Sequence, residues 1–448
     1  MRLRSLLLVG AVALSTTTAN AQNWVQDSVE MGTGYANDAF YSLKNGSAKV
    51  EPNTNWHLAF QMTPPGPYGN VSVIANQVQG GVNVYSLHMA ASTNFATLSA
   101  GDTVGKTGPA RQLFNSDSTW NLGAFNRLSD PSDLNDYSWG YYDQQDHDVN
   151  GDSLYLITIT SGSTTEAYKV WIQRFMSYPL DSIHWEFRIA KFDGSNDNTV
   201  KIYRKPAYTD RLFAYYNVNT NTELDREPGR AAWDVLFTRY KEYLAGAPGV
   251  PYYSVMGLLS NFDVAVAEKY NVAADDTANF AGFAYSGRLN QIGSDWKVFD
   301  MSQNPPAYVI DDSTYYFVKT KNTNEYYQLQ FTGFGGTADG KVFFRKRYLG
   351  VYNPLGISTV NSAINAHYLV PNPANSSASM LIDINEQVNS ARLLIMDLSG
   401  RVVSHTAVKA NSGLNEYRIN TANLTDGMYM VVLTDGNWKV AEKLIVQH

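Results

Sequence analysis

Apolar residues recur along this chain in short runs broken by Gly, Asn, Asp, Ser and Pro. "LYLITI" (154–159) and "AYKVWIQRF" (167–175) flank the polar "TSGSTTE", and "IHWEFRIAKF" (183–192) follows. Two apolar runs around a turn segment predict a hairpin, and the third extends it to a three-stranded meander. The pattern returns later. "YYFVKT" (315–320) and "YYQLQFTGF" (326–334) flank "KNTNE", and "KVFFRKRYL" (341–349) follows. Short Tyr-rich runs such as these read as strands packing their aromatics into a core rather than as a sugar-binding platform.

Other phrases recur in the same order. "FYSLKNGSAKV" (40–50) answers "FAYYNVNTNTEL" (213–224), and "TNWHLAFQM" (54–62) answers "AAWDVLFTRYKEYL" (231–244). "SWGYYD" (138–143) answers "DWKVFD" (295–300). An ordered series of matches is the mark of a tandem duplication, here of whole domains rather than of solenoid repeats. The second Trp phrase also fits helical spacing, with Trp233, Phe237, Tyr240 and Leu244 in register. Its sister is cut by Pro64 and Pro65, which favours a strand. Alternation then turns His57 away from Trp56. Its replacement by Asp234 in the second copy predicts a partly exposed side chain that drifts in identity.

The final segment has short alternating strands, "SMLIDI", "ARLLIMDL", "EYRI" and "MYMVVL", with Ser-Gly and Asp-Gly turns. This predicts a small β-sandwich. The expected class is therefore all-β, with few short helices. The expected divisions are a signal peptide at 1–21, a first module at 22–205, a second at 206–355, a linker at 356–368 and the sandwich at 369–448.

Composition adds constraints. A length of 448 residues suits about three domains. Only 17% of residues are charged and 30 are Tyr, which suits β structure. A net charge of −7 without a basic cluster argues against nucleic acid. Arg2 and Arg4 precede the apolar "LLLVGAVAL", and "ANA" (19–21) is a small-residue cleavage signal, so export is expected. The apolar stretch is too short to span a bilayer, and no transmembrane span is expected elsewhere. With no Cys, disulfides and thiolate chemistry are excluded.

"PNPA" (371–374), "DLSGRVV" (397–403), "LTDGMYMVVL" (424–433) and "KLIV" (443–446) resemble the type A C-terminal sorting domain of the type IX secretion system of Bacteroidetes. That resemblance implies an immunoglobulin-like sandwich, the type IX machinery as partner, and a secreted or cell-surface location. The Tyr-rich opening strands, "WDVLF", "DWKVFD" and the closing hairpins resemble the HmuY-like family of exported Bacteroidetes proteins, here as two tandem modules. Characterised members bind haem through axial His or Met side chains. By that resemblance the candidate haem ligands are Met301 after Trp296, His147 after Trp139, and His88 with Met89 upstream. A tetrapyrrole is the ligand this implies.

"DHDVNGD" (146–152) matches the opening of a calcium loop, with Asp146, Asp148 and Asn150 as candidate ligands. Its twelfth position is Ile157, not Glu, and Asn150-Gly151 equally suits a turn before a strand. No G-x-S-x-G, H-E-x-x-H, phosphate loop or dinucleotide fingerprint occurs. The expected function is non-enzymatic ligand binding at the cell surface. The alternative is a structural or adhesive surface protein without haem.

Overall fold

The computed structural model describes residues 23–62, 71–179, 181–246, 249, 251–271, 277, 280–320, 324–351, 364–385, 387–397, 401–435 and 439–448. The signal peptide expected at 1–21 lies outside them. Described residues up to Val351 form one compact unit, and those after it a second.

The described residues of the first unit form two outer sheets, two inner sheets and a two-stranded ribbon of Lys297–Asp300 and Ala307–Ile310. One outer sheet runs Asn198–Tyr203, His184–Lys191, Thr164–Met176, with Ser153–Ser161 and Val82–Ala90 beyond it. The other runs Val25–Glu30, Lys341–Val351, Glu325–Phe334, Thr314–Thr320, Val264–Tyr270. Both expected meanders are thus present. The inner sheets run Thr222–Leu224, Phe213–Asn217, Leu58–Gln61, Val73–Ala75, and Tyr252–Ser260, Val235–Tyr243, Asn37–Ser42, Gly46–Pro52.

Alternation explains why the inner strands read as unbroken apolar runs. Leu58 and Phe60 point into a core shared with Ile157, Ile172, Trp185 and Phe187 of the first outer sheet. Ala59, between them, points the other way, into a core with Phe40, Phe213, Tyr215 and Leu236 that joins the two inner sheets. Ala39, Tyr41, Val235 and Phe237 face the second outer sheet. A strand buried on both faces has no polar side to show.

The expected boundary between 205 and 206 does not divide this unit. Leu58–Gln61 pairs with Phe213–Asn217, Asn37–Ser42 with Val235–Tyr243, and Val25–Glu30 with Lys341–Val351. Each half lends strands to the other. The Trp phrase is indeed strand, Leu58–Gln61 in one copy and Val235–Tyr243 in the other.

His57 corrects the expectation of a solvent-facing residue: it is 3% exposed. It precedes its strand, so strand alternation does not govern it, and the hairpin of the other half covers it. Its backbone N–H donates to the Tyr216 carbonyl, and its carbonyl accepts from Asn76 N–H, both at 2.9 Å. Its Nδ1 accepts the Val218 N–H at 3.1 Å. Asp234 repeats every element. Its N–H donates to Tyr41, its carbonyl accepts from Asn261, and its carboxylate accepts the Leu43 N–H at 2.7 Å. The position requires an acceptor for an orphan backbone donor at the end of the exchanged hairpin, and His and Asp both supply one.

Burial holds the His57 imidazole down at about 4, from 6.5. The unfolded chain therefore takes up a proton first, and the stability His57 contributes is lost as pH falls from 6.5 towards 4. His57→Leu is expected to cost about 1–3 kcal/mol by stranding the Val218 N–H. His57→Asn, which keeps an acceptor, should cost less and lose the acid sensitivity. Urea midpoints between pH 4 and 8 check both; equal losses in the two variants refute the acceptor role.

The second unit is a sandwich of a three-stranded sheet (Ile364–Val370, Ser377–Ile384, Gly413–Asn420) and a four-stranded sheet (Val402–Ala410, Val388–Asp397, Gly427–Thr434, Lys439–Val446). Met380, Ile382 and Ile384 close its core against Leu393, Ile395, Val431 and Leu433. The expected linker, 356–368, is corrected at its end: Ile364–Val370 is strand. Its residues 356–363 lie outside the described residues.

Candidate functional site

Where the two inner sheets face one another they leave a cleft of about 730 Å³, including its open mouth. Asp38 and Phe40 come from one strand, Leu236 and Thr238 from its neighbour, Tyr215 from the opposite sheet, and Trp56 from the segment before Leu58–Gln61. Asn115, Ser116, Thr119 and Trp120 supply a wall. Asn115 continues the edge of Val73–Ala75: its Nδ2 donates to the Ala75 carbonyl at 2.7 Å, and its Oδ1 accepts the Ala75 N–H at 3.1 Å. Trp120 is pinned by its Nε1, which donates to the Ser260 carbonyl at 3.0 Å.

The polar floor is built around Arg226, which is 2% exposed. Its guanidinium donates to Asp38 Oδ2 at 3.1 Å and to the Pro52 carbonyl at 2.7 Å. Asp38 Oδ1 accepts the Thr238 hydroxyl at 2.6 Å. The guanidinium also lies 5.1 Å from the Tyr215 ring centroid and 5.6 Å from that of Trp56, within cation–π range. Trp56 meets Tyr215 edge-on at 4.9 Å. Among the described residues, Trp56 Nε1 and Arg226 Nε are buried with no partner. Buried donors are almost always satisfied, so two at one cleft mark a place where a ligand's acceptors would fit.

A second, more polar cleft opens around Trp233 and Asn261, where Lys44 pairs with Glu325 and Arg230 with Asp263, both at 2.7 Å, and Trp233 Nε1 is likewise buried with no partner among the described residues.

The residues expected to hold haem are dispersed. His88 is exposed, with φ of 51°, on Val82–Ala90 of the first outer sheet. Met89 packs against the apolar cluster that holds Tyr85, Leu87 and Phe95. His147, also exposed, hydrogen-bonds through Nδ1 to the Tyr142 hydroxyl at 2.9 Å. Met301 is 73% exposed beside the strand Lys297–Asp300 of the other half. None of the four lines the cleft. Axial ligation needs two such groups facing one another across a flat cavity, and these residues do not fit that arrangement.

At the expected calcium loop the acidic oxygens meet a guanidinium. Asp148, 1% exposed, accepts from Arg174 Nε at 2.6 Å and from the Ser177 N–H at 2.9 Å. Asp146 lies 3.4 Å from the same Arg174. Asn150-Gly151 is strand, Val149–Gly151, not a turn. A Cβ on Gly151 would stand 1.6 Å from the Ile172 carbonyl oxygen, so Gly serves there for close strand approach. Among the described residues, no three His, Cys, Asp or Glu gather as a metal site.

Sequence reasoning did not find the cleft. Its lining comes from segments as distant as Asp38 and Leu259, and only the duplicated Trp56 gave a signal.

Comparison with known proteins bears on identity. The HmuY protein family matches residues 34–345 as one span. The secretion system C-terminal sorting domain matches 368–447. No curated protein matches the chain. Among solved structures, dimeric latent PorU from Porphyromonas gingivalis is similar at 14% identity and a TM-score of 0.16, over 65% of this chain and 26% of that one. The BSP domain of a biofilm associated protein is similar at 9% identity and a TM-score of 0.17, over 98% and 84%. With an all-β unit where one family matches and a separate sandwich where the other does, the chain belongs to the HmuY family and ends in a secretion sorting domain that directs it out of the cell or to its surface.

Proposed function

We propose that this exported protein is a non-enzymatic binder that takes its ligand in the cleft between its two inner sheets. One observation carries the reading: two buried donors without partners, on Trp56 and Arg226, belong to residues that line an aromatic cavity. Ligand pockets typically combine such apolar walls with a few placed polar groups. A purely structural role leaves the cost of those unpaired donors unexplained, since each buried orphan costs about 1–3 kcal/mol. The spread of His88, Met89, His147 and Met301 lends no support to axial haem ligation.

Ferric haem, D-glucose, D-glucuronate and 4-hydroxybenzoate, each titrated against the full chain by absorbance and tryptophan fluorescence, test the proposal. At least one small ligand is expected to saturate, and Trp56→Ala to weaken it by about tenfold or more. A saturable Soret shift would overturn the cleft as the site if it were lost in His88→Ala, Met89→Ala, His147→Ala or Met301→Ala and kept in Trp56→Ala.

A further inference from the structure

The polar cleft around Trp233 lies apart from the aromatic one. Three chain reversals meet there: the turn after Asn37–Ser42, the turn between Tyr252–Ser260 and Val264–Tyr270, and the ends of the hairpin Thr314–Thr320 and Glu325–Phe334. They leave a space of about 500 Å³, its open mouth included, within the range of about 300–1,000 Å³ common to small-molecule sites. Among the described residues, none lines both clefts.

Its chemistry differs from that of the first. Of its lining residues only Ala231, Trp233 and Val264 are apolar. Its cations are answered in place, Lys44 by Glu325 and Arg230 by Asp263. The carboxylate outside these pairs, Asp234, accepts the Leu43 N–H at 2.7 Å. One donor and one acceptor are left over. Asn261, 2% exposed, donates through Nδ2 to the carbonyls of Arg230 and Trp233 at 2.7 and 2.8 Å. Two carbonyls fix the amide's orientation, since a flip would set oxygen against oxygen. Its Oδ1 is then buried with no partner among the described residues. Trp233, also 2% exposed, leaves its Nε1 in the same state. The indole can only donate, and the amide oxygen can only accept.

We infer that this second cleft takes a neutral, polyhydroxylated ligand, a sugar, whose hydroxyls donate to Asn261 and accept from Trp233. A hydroxyl does both, so one class of group answers both orphans. An anion would meet the Asp234 carboxylate and the Asn261 oxygen. An ammonium would leave the indole N–H unanswered and find each carboxylate already engaged. The site does not depend on the aromatic cleft, and neither stands or falls with the other.

The full chain, with nitrogen-15 in its nine Trp, is titrated by NMR with D-glucose, D-galactose and N-acetyl-D-glucosamine. D-glucosamine and D-glucuronate serve as the charged relatives. At least one neutral sugar should saturate and move the Trp233 indole peak downfield, as a proton moves on gaining an acceptor. That peak is identified by its loss in Trp233→Phe. At low salt, where charge shows most, neither charged relative should bind more tightly than D-glucose. Trp56→Ala should leave the shift intact. Ala231→Phe, which narrows the cleft from an exposed lining position, should remove it. The titration of the unaltered chain carries the test if Ala231→Phe folds poorly. A shift confined to the Trp56 peak, or lost in Trp56→Ala, assigns the sugar to the aromatic cleft and overturns the second site. Tighter binding of either charged relative overturns the neutral class. Saturation by none of the three neutral sugars overturns the inference and leaves the aromatic cleft to its own test.

Discussion

Asp38→Ala is expected to remove about 3–5 kcal/mol from the stability of the first unit, because it strands a buried guanidinium. Arg226 is then left with the Pro52 carbonyl and the faces of Tyr215 and Trp56, and the Thr238 hydroxyl loses its acceptor. Urea unfolding followed by tryptophan emission reads this well, since eight of the nine Trp precede residue 352. The double variant Asp38→Ala with Arg226→Met should recover most of the loss, because the cost lies in the unpaired charge and not in the pair itself. A single-variant loss below about 1 kcal/mol, the range of exposed ion pairs, would show that the guanidinium finds water instead.

Glu227 gives the second large effect. Its Oε2 accepts the N–H groups of Leu212 and Phe213 at 2.8 and 2.9 Å, at the start of the exchanged strand. Burial pushes its carboxyl up from 4.5 to about 8, against the two backbone donors and then Arg211 and Arg226, which pull it down. The folded chain therefore keeps a proton that the unfolded chain has released. The stability tied to that proton is present below pH 4.5 and is lost as pH rises to about 8. At about 1.4 kcal/mol per unit the ceiling is on the order of 5 kcal/mol. Glu227→Gln keeps an acceptor and carries no charge. It should match the parent near pH 4.5 and exceed it at pH 9 by up to that amount. Parallel stability curves for the two chains over this range would refute the buried proton.

The hairpins were legible because their cause is local: a turn segment between apolar runs leaves few alternatives to antiparallel pairing. The order of matches between the halves was legible for the same reason. What the matches could not convey is which half each strand serves. Pairing of Leu58–Gln61 with its own hairpin or with that of the other half buries the same residues, so the apolar pattern is identical for both. The misreading of His57 follows from this. Read as a lone strand neighbour, it looked exposed; under the other half's hairpin it is buried and bonded. Trp and Phe of the repeated phrase also separate. Phe60 enters the outer core, whereas Trp56 packs between the inner sheets. The cleft residues Asp38 and Arg226 carry no local signature, because an Arg in a connecting segment reads as solvated until its partner, nearly two hundred residues away, is known.

The exchange of strands also fixes a timetable. When synthesis has passed the first half, Leu58–Gln61 still lacks Phe213–Asn217, and Val25–Glu30 waits for Lys341–Val351. The outer sheet between Val82 and Tyr203 can form from the first half alone, but the inner sheets and the second outer sheet wait for strands of the second half. Closure so distant along the chain is slow, and open strand edges are exposed to mispairing meanwhile.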